Sequence, residues 1–426
     1  MYKKILVPVI LISLALSAFS QGRVGSPYTR YGIGDITRST MVRSNAMGGL
    51  SYTTPYANSI NYLNPASIGE IDSLIFIFDF GLNGGARLYS IEEPAYSQVK
   101  SDFHLSHINF GFAVTKWWKA AAGVLPFSDV GYSISANDSL LGVDKNYLFA
   151  GDGGVNKVFL TNAFNPFNNF YIGFTASFLF GKIYQSSGIV FNDDSGDYVN
   201  VFEQNIIQVN DFTFDAGLKY TFNLNDKNKM SLGFVYGKNS ALDAKRSSIV
   251  YHTLTTSTAV VDTVYQADEE SGIISLPQSL GFGFGYQHSD KFFIGFDYTM
   301  QDWANAQFFG SVDNLSNGQF FSLGTEYIPG GARGSIFNYW QGVAYRTGVH
   351  FNQNYFQLST GETAINDFGI SFGLGLPMKR SKTSFNLSLE LGQRGTLENN
   401  LIKENYAIFG ISFNLAERWF VKSKID

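Results

Sequence analysis

Residues 170–180 read Phe170-Tyr171-Ile172-Gly173-Phe174-Thr175-Ala176-Ser177-Phe178-Leu179-Phe180. In an extended chain Phe170, Ile172, Phe174, Ala176, Phe178 and Phe180 share one face, and Tyr171, Gly173, Thr175 and Ser177 fall on the other. A greasy face opposite a small or polar one is the pattern of a strand with hydrocarbon on one side and a lumen on the other.

The same grammar recurs along the chain. Leu280, Phe282, Phe284 and Tyr286 alternate with three glycines. Phe385, Leu387, Leu389 and Leu391 alternate with Asn386, Ser388 and Glu390. Phe409, Ile411, Phe413 and Leu415 alternate with Gly410, Ser412 and Asn414. A soluble sandwich alternates too, but its strands average about five or six residues. Runs of ten or more match a tilted bilayer crossing. Residues 73–420 are therefore read as a transmembrane, antiparallel up-and-down β-barrel of about fourteen strands.

Short polar turns are expected near 116–119, 165–169, 225–229, 288–291 and 378–383, and long loops near 83–101, 136–153, 186–205 and 246–272. Short turns face the periplasm in such barrels and long loops face outward. Trp117, Trp118, Phe167, Phe170, Phe292, Phe293, Trp419 and Phe420 stand at the inferred periplasmic ends as an aromatic girdle. The location implied is the outer membrane of a Gram-negative cell, with outer-membrane lipid as the surroundings.

Composition agrees with a membrane barrel. Aromatic residues make up 16 % of the chain and charged residues only 15 %, against about a quarter charged in soluble domains. The net charge is −5 and no basic cluster is present, so nucleic acid is not an expected partner. With no cysteine there is no disulfide, no thiolate chemistry and no lipidated Cys anchor. Lys3, Lys4 and the apolar run to Ala18 read as a signal peptide over 1–20, cleaved before Gln21. The six residues 421–426 form a periplasmic tail.

Residues 21–72 do not alternate. They are rich in Gly, Asn, Ser and Tyr, and a barrel of this size needs its lumen filled. This segment is read as a plug or hatch, with Asn45, Met47, Gly48, Gly49, Asn61, Asn64, Pro65 and Ala66 along the ligand path.

Candidates for chemistry are few, and no cofactor is expected. His104 and Ser106 share a strand face, but no carboxylate can be named to orient them, and the chain is read as no enzyme. His104 and His107, three apart in a strand, should face opposite sides. Asp193, Asp194 and Asp197 could hold Ca2+ through hard oxygens, although a solvated loop explains them equally well. The lumen-facing positions are mostly Gly, Ser, Thr and Asn, without the charged eyelet of a general porin.

Ala46-Met47-Gly48-Gly49, followed by Asn61-Tyr62-Leu63-Asn64-Pro65-Ala66-Ser67, resembles the FadL/TodX superfamily of long-chain fatty acid transporters. So does the late stretch from Leu323-Gly324-Thr325-Glu326-Tyr327 to Tyr345-Arg346-Thr347-Gly348. Ser26-Pro27-Tyr28-Thr29-Arg30-Tyr31-Gly32, Gly392-Gln393-Arg394-Gly395 and the tail from Phe413 to Phe420 resemble a Bacteroidota branch of it. The resemblance implies fourteen strands, an N-terminal hatch and uptake of hydrophobic, fatty-acid-like molecules. The same branch implies an alternative, a non-transporting barrel subunit of a secretion or outer-membrane protein assembly complex, with outer-membrane proteins or lipoproteins as partners.

Overall fold

The computed structural model describes residues 25–418, apart from 39–40, 56–57, 94, 141–142, 193–197, 256–258, 313–314, 332–337, 358–363 and 379–380. The expected signal peptide, C-terminal tail, Trp419 and Phe420 lie outside these residues, as do Asp193, Asp194 and Asp197.

Fourteen antiparallel strands close into a barrel. They are β1 Ile75–Ile91, β2 Tyr96–Ala113, β3 Trp118–Leu140, β4 Val143–Phe167, β5 Phe170–Phe191 and β6 Val199–Asn223. Next come β7, in two stretches Asn228–Gly237 and Ser240–Leu254, and β8, in Val260–Leu276 and Ser279–His288. The rest are β9 Phe292–Gln301, β10 Gly318–Tyr327, β11 Ala344–Gln357, β12 Ala364–Pro377, β13 Ser384–Arg394 and β14 Lys403–Arg418. Closure is made by β14 against β1, from Arg418↔Ile75 to Lys403↔Ser90. It removes the unpaired edge that no bilayer-spanning sheet can tolerate.

Period two sets which side chains meet lipid. In β9, Phe296 points out while its neighbour Asp297 is wholly enclosed. Cross-strand aromatics such as Phe234 and Phe282 pack on the outer wall at 5.2 Å between ring centres. At the short-turn end Trp117, Trp118 and Phe164 stack on one another, where an interfacial girdle belongs. Phe293 departs from the girdle: its alternation with Phe292 turns it inward, where it is buried with Met47 and Leu50.

Most of the expected long loops are strand. β3 to β6 run 22 to 25 residues, and β7 and β8 each add 15 or 17 residues to a belt-length stretch of ten. Ser- and Asn-rich sequence there pairs as ladder outside the membrane, so polarity alone misread it as loop. The barrel is therefore tall on one side.

The ladder between β2 and β3 is short. It runs only from Ala113↔Lys119 to Ile108↔Val124, although β2 extends back to Tyr96 and β3 on to Leu140. Beyond that point the N-terminal segment borders β3, with Asp35 and Ile36 pairing to Asp129 and Ser128.

Candidate functional site in the lumen

The described residues between Gly25 and Ile71 lie inside the barrel, and the polar faces of the strands are built around them. A four-residue helix, Val42–Asn45, leads into Met47, Gly48 and Gly49. Gly48 and Gly49 have φ of +69° and +82°, a left-handed backbone that a side chain would strain. The Gly48 N–H donates to Ser371 Oγ at 2.7 Å. Opposite, the wall is also glycine: a Cβ on Gly348 or Gly324 would overlap the backbone of Met47, and one on Gly173 would overlap that of Pro65. Wall and segment thus touch backbone to backbone.

Two asparagines hold the segment's fold. Asn61 Nδ2 donates to the Ser51 carbonyl at 2.6 Å, and Asn64 Nδ2 to the Tyr52 carbonyl at 2.9 Å. Asn64 Oδ1 accepts from Ala66 N at 3.0 Å, capping the 3-10 helix Pro65–Glu70. All eight hatch residues named from sequence stand in the lumen. Met47, Asn61, Asn64 and Ala66 have no solvent exposure at all, and Asn45, Gly48 and Gly49 border a cavity.

Charges fasten the segment to the wall. Glu326 of β10 takes Arg43 Nη2 at 3.0 Å on one oxygen and Arg346 Nε at 2.6 Å on the other. Asp297 of β9 accepts the backbone N–H groups of Ser51 and Tyr52 at 2.7 and 2.9 Å. Lys219 of β6 reaches Glu70 at 2.8 Å and the Thr54 carbonyl at 2.9 Å. Arg394 of β13 binds Asp35 at 2.6 Å. Arg38 donates to Thr299 at 2.9 Å and lies 3.4 Å from the centre of the Phe320 ring. Buried charges persist only where paired, and these contacts join the segment to four strands, β6, β9, β10 and β13.

The expectation of a nearly uncharged lumen therefore fails. The signal was in the sequence, as single charges interrupting a small-residue face: Gly295-Phe296-Asp297, Gly217-Leu218-Lys219 and Gly324-Thr325-Glu326. Their partners lie 149 to 283 residues away along the chain, beyond the reach of local pattern.

A cavity of about 440 Å3 remains towards the long-hairpin end. Asp35, Arg87, Lys157, Asp215, Asp367 and Glu390 are among its lining. These charges alternate with apolar and aromatic side chains, among them Leu63, Phe127, Leu276, Trp303, Phe320 and Ile408, so the cavity is amphipathic.

His104 and Ser106 are not brought together as a pair. The register of β1 and β2 slips between Gly81↔His107 and Leu82↔Leu105, leaving Ser106 as a bulge. The bulge turns His107 onto the same side as His104, correcting the opposite-face expectation. Ser106 Oγ is 3.1 Å from His107 Nδ1, and His107 Nε2 is 3.3 Å from Asp79. This Ser–His–Asp row has the order of a nucleophile, base and orienting acid. Ser106 and His107 are completely enclosed, with Gly81 directly against the imidazole, so no substrate carbonyl can approach. Among the described residues no group of three or more metal-ligating side chains is present.

Comparison with known proteins agrees with this architecture. The Pseudomonas putida toluene transporter TodX superposes with a TM-score of 0.59 at 13 % identity, over 92 % of this chain and 99 % of that one. A Pseudomonas aeruginosa FadL homologue gives 0.57 at 11 % identity, over 90 % and 99 %. The CymD monoaromatic hydrocarbon channel gives 0.54 at 14 % identity, over 92 % and 99 %. At such identities the likeness is one of fold, that of outer-membrane channels. No curated protein matches the sequence. A family model described as BamG matches residues 1–426.

Proposed function

The chain belongs to the BamG family, and from that premise we propose that it is a barrel subunit of a larger outer-membrane complex, working through its wall and long hairpins while its lumen stays shut. The observation that carries this reading is the fastening of the N-terminal segment. Its backbone rests on wall glycines, and largely enclosed ion pairs tie it to β6, β10 and β13. Opening such a gate would strand several charges without partners, each costing several kcal/mol. The space above it holds carboxylates, guanidinium groups and ammonium groups among its apolar and aromatic side chains. The expected partners are other outer-membrane proteins or lipoproteins.

A second reading, uptake of hydrophobic molecules, is favoured by one feature. The broken ladder between β2 and β3 leaves a stretch of wall closed by the N-terminal segment instead of by a neighbouring strand. A solute could leave sideways there if the segment moved. In this reading Asn45, Met47, Gly48, Gly49, Asn61, Asn64, Pro65 and Ala66 are the moving gate; in the first they are a fixed plug.

Gentle detergent extraction of the tagged native protein, with mass spectrometry of what accompanies it, separates the two. Stoichiometric outer-membrane or lipoprotein partners are the expected result. A lone barrel carrying lipid-like or aromatic small molecules would overturn it in favour of uptake.

A further inference from the structure

We infer that the free edge of β8 from Val260 to Ser271 receives an extended segment of a partner protein, which adds to the sheet as a further strand. The inference rests on the subunit reading and says where the partner docks.

This stretch is hydrogen-bonded on one side only. It pairs with β7 from Val260↔Thr253 to Ser271↔Lys245. On its other side the described contacts begin at its very base, where Phe309 N donates to Ile273 O at 2.9 Å and Ile274 meets Phe308. Above that, nearly every residue from Val260 to Ser271 is exposed, on both faces of the strand. Val260, Val261, Val264 and Tyr265 are each more than half exposed. An edge twelve residues long with exposed β-branched side chains is a template for another strand unless something covers it. It has no proline and no lysine; its own protections are three register shifts and its acids, which call for a partner able to match that charge.

The location selects protein over lipid as the occupant. β7 and β8 each have a ten-residue stretch suited to the bilayer, and both break at one level, at Lys238–Asn239 and Pro277–Gln278. The free edge lies entirely beyond that break, on the long-hairpin side and in water. Charge selects the partner's character. Residues 260–271 carry four acids and no base. Lys245 and Arg246 of β7 already bind Glu269 and Glu270 at 2.7 and 2.6 Å. Asp262, and Asp268 whose only described partner is the neutral Gln266 amide at 3.2 Å, are left to meet a partner strand in which apolar residues alternate with lysine or arginine. A second copy of the same edge would set acid against acid, which is unfavourable in directly opposed pairs.

The test uses the full chain in living cells, with a photo-crosslinking amino acid at Val264 or Tyr265 and, as control, at lipid-facing Leu389. Two variants accompany it. Val264 stands at a register shift without its own partner on β7, so Val264→Pro blocks the edge while sparing the hairpin's pairs. Asp262→Lys reverses the charge and keeps the test open if the proline variant fails to fold. The expected result is a crosslink from 264 or 265, and not from 389, to one of the proteins that extraction recovers in stoichiometric amounts. Its recovery should fall about ten-fold or more in either folded variant. Crosslinks only to lipid or to a second copy, or recovery unchanged in both variants, would overturn the inference and leave the subunit reading standing. No stoichiometric protein at all would overturn both.

Discussion

Glu326 sits between two guanidinium groups, Arg43 of the N-terminal segment and Arg346 of the neighbouring strand. Neither arginine can lose its charge, so removing the carboxylate leaves two buried cations facing each other. Glu326→Ala should cost about 3–5 kcal/mol, read as a lowered midpoint of urea unfolding or of the heat-dependent shift in gel mobility. The wall glycines make a steric counterpart. Gly348→Val would drive a side chain into the Met47 backbone. Overpacking of about 1–3 kcal/mol or more should loosen the segment, read as new protease cleavage between residues 25 and 71. Tyr28 gives the pH dependence. Burial first, then the nearby Glu404 carboxylate, pushes its phenol well above the usual value. A raised folded-state value means that stability is fully present below about pH 10, the unfolded phenol's value, and is lost as pH rises further. Cleavage of the segment should therefore increase above that pH, and Tyr28→Phe should blunt the increase. None of these residues was legible as a clamp, because the contacts that join the N-terminal segment to the wall are remote in the chain. The glycines were legible as small lumen positions, but not the backbone they touch.

Strands are where the sequence spoke most clearly. Runs such as Phe170 to Phe180 and Phe409 to Leu415 carry their own answer, since only one register puts all their phenylalanines outward. The hairpins beyond the membrane were misread because water on both faces removes alternation, as in Val260–Ser271, where Val260, Val261 and Asp262 are all exposed. The bulge at Ser106 was also invisible, since one unpaired residue changes facing without changing composition. The N-terminal segment was recognisable by its failure to alternate, and its ion pairs make a specific prediction. The intact chain in a planar bilayer should show no open-channel steps, and a chain lacking residues 25–71 should show them. Steps from the intact protein would mean that the segment does not seal the lumen.

The whole molecule combines a channel fold with an N-terminal segment ion-paired to the wall from inside. Fold class was legible because a bilayer permits so few solutions: strands with one greasy face must close on themselves. Function was less so, since the same wall serves uptake or docking, and the choice turns on whether the N-terminal segment moves. That motion can be abolished. The chain has no cysteine, and a Cβ on Gly285 would lie 3.0 Å from that of Thr53, a little short of the ~3.8 Å of an ordinary disulfide. Thr53→Cys with Gly285→Cys should therefore tether segment to wall on oxidation. The decisive measurement is whether this locked protein, as the only copy in the cell, restores what a strain lacking the protein has lost. A barrel that acts by docking should restore it equally well oxidised or reduced. Restoration only when the disulfide is reduced would mean that the segment must open, and would contradict the account.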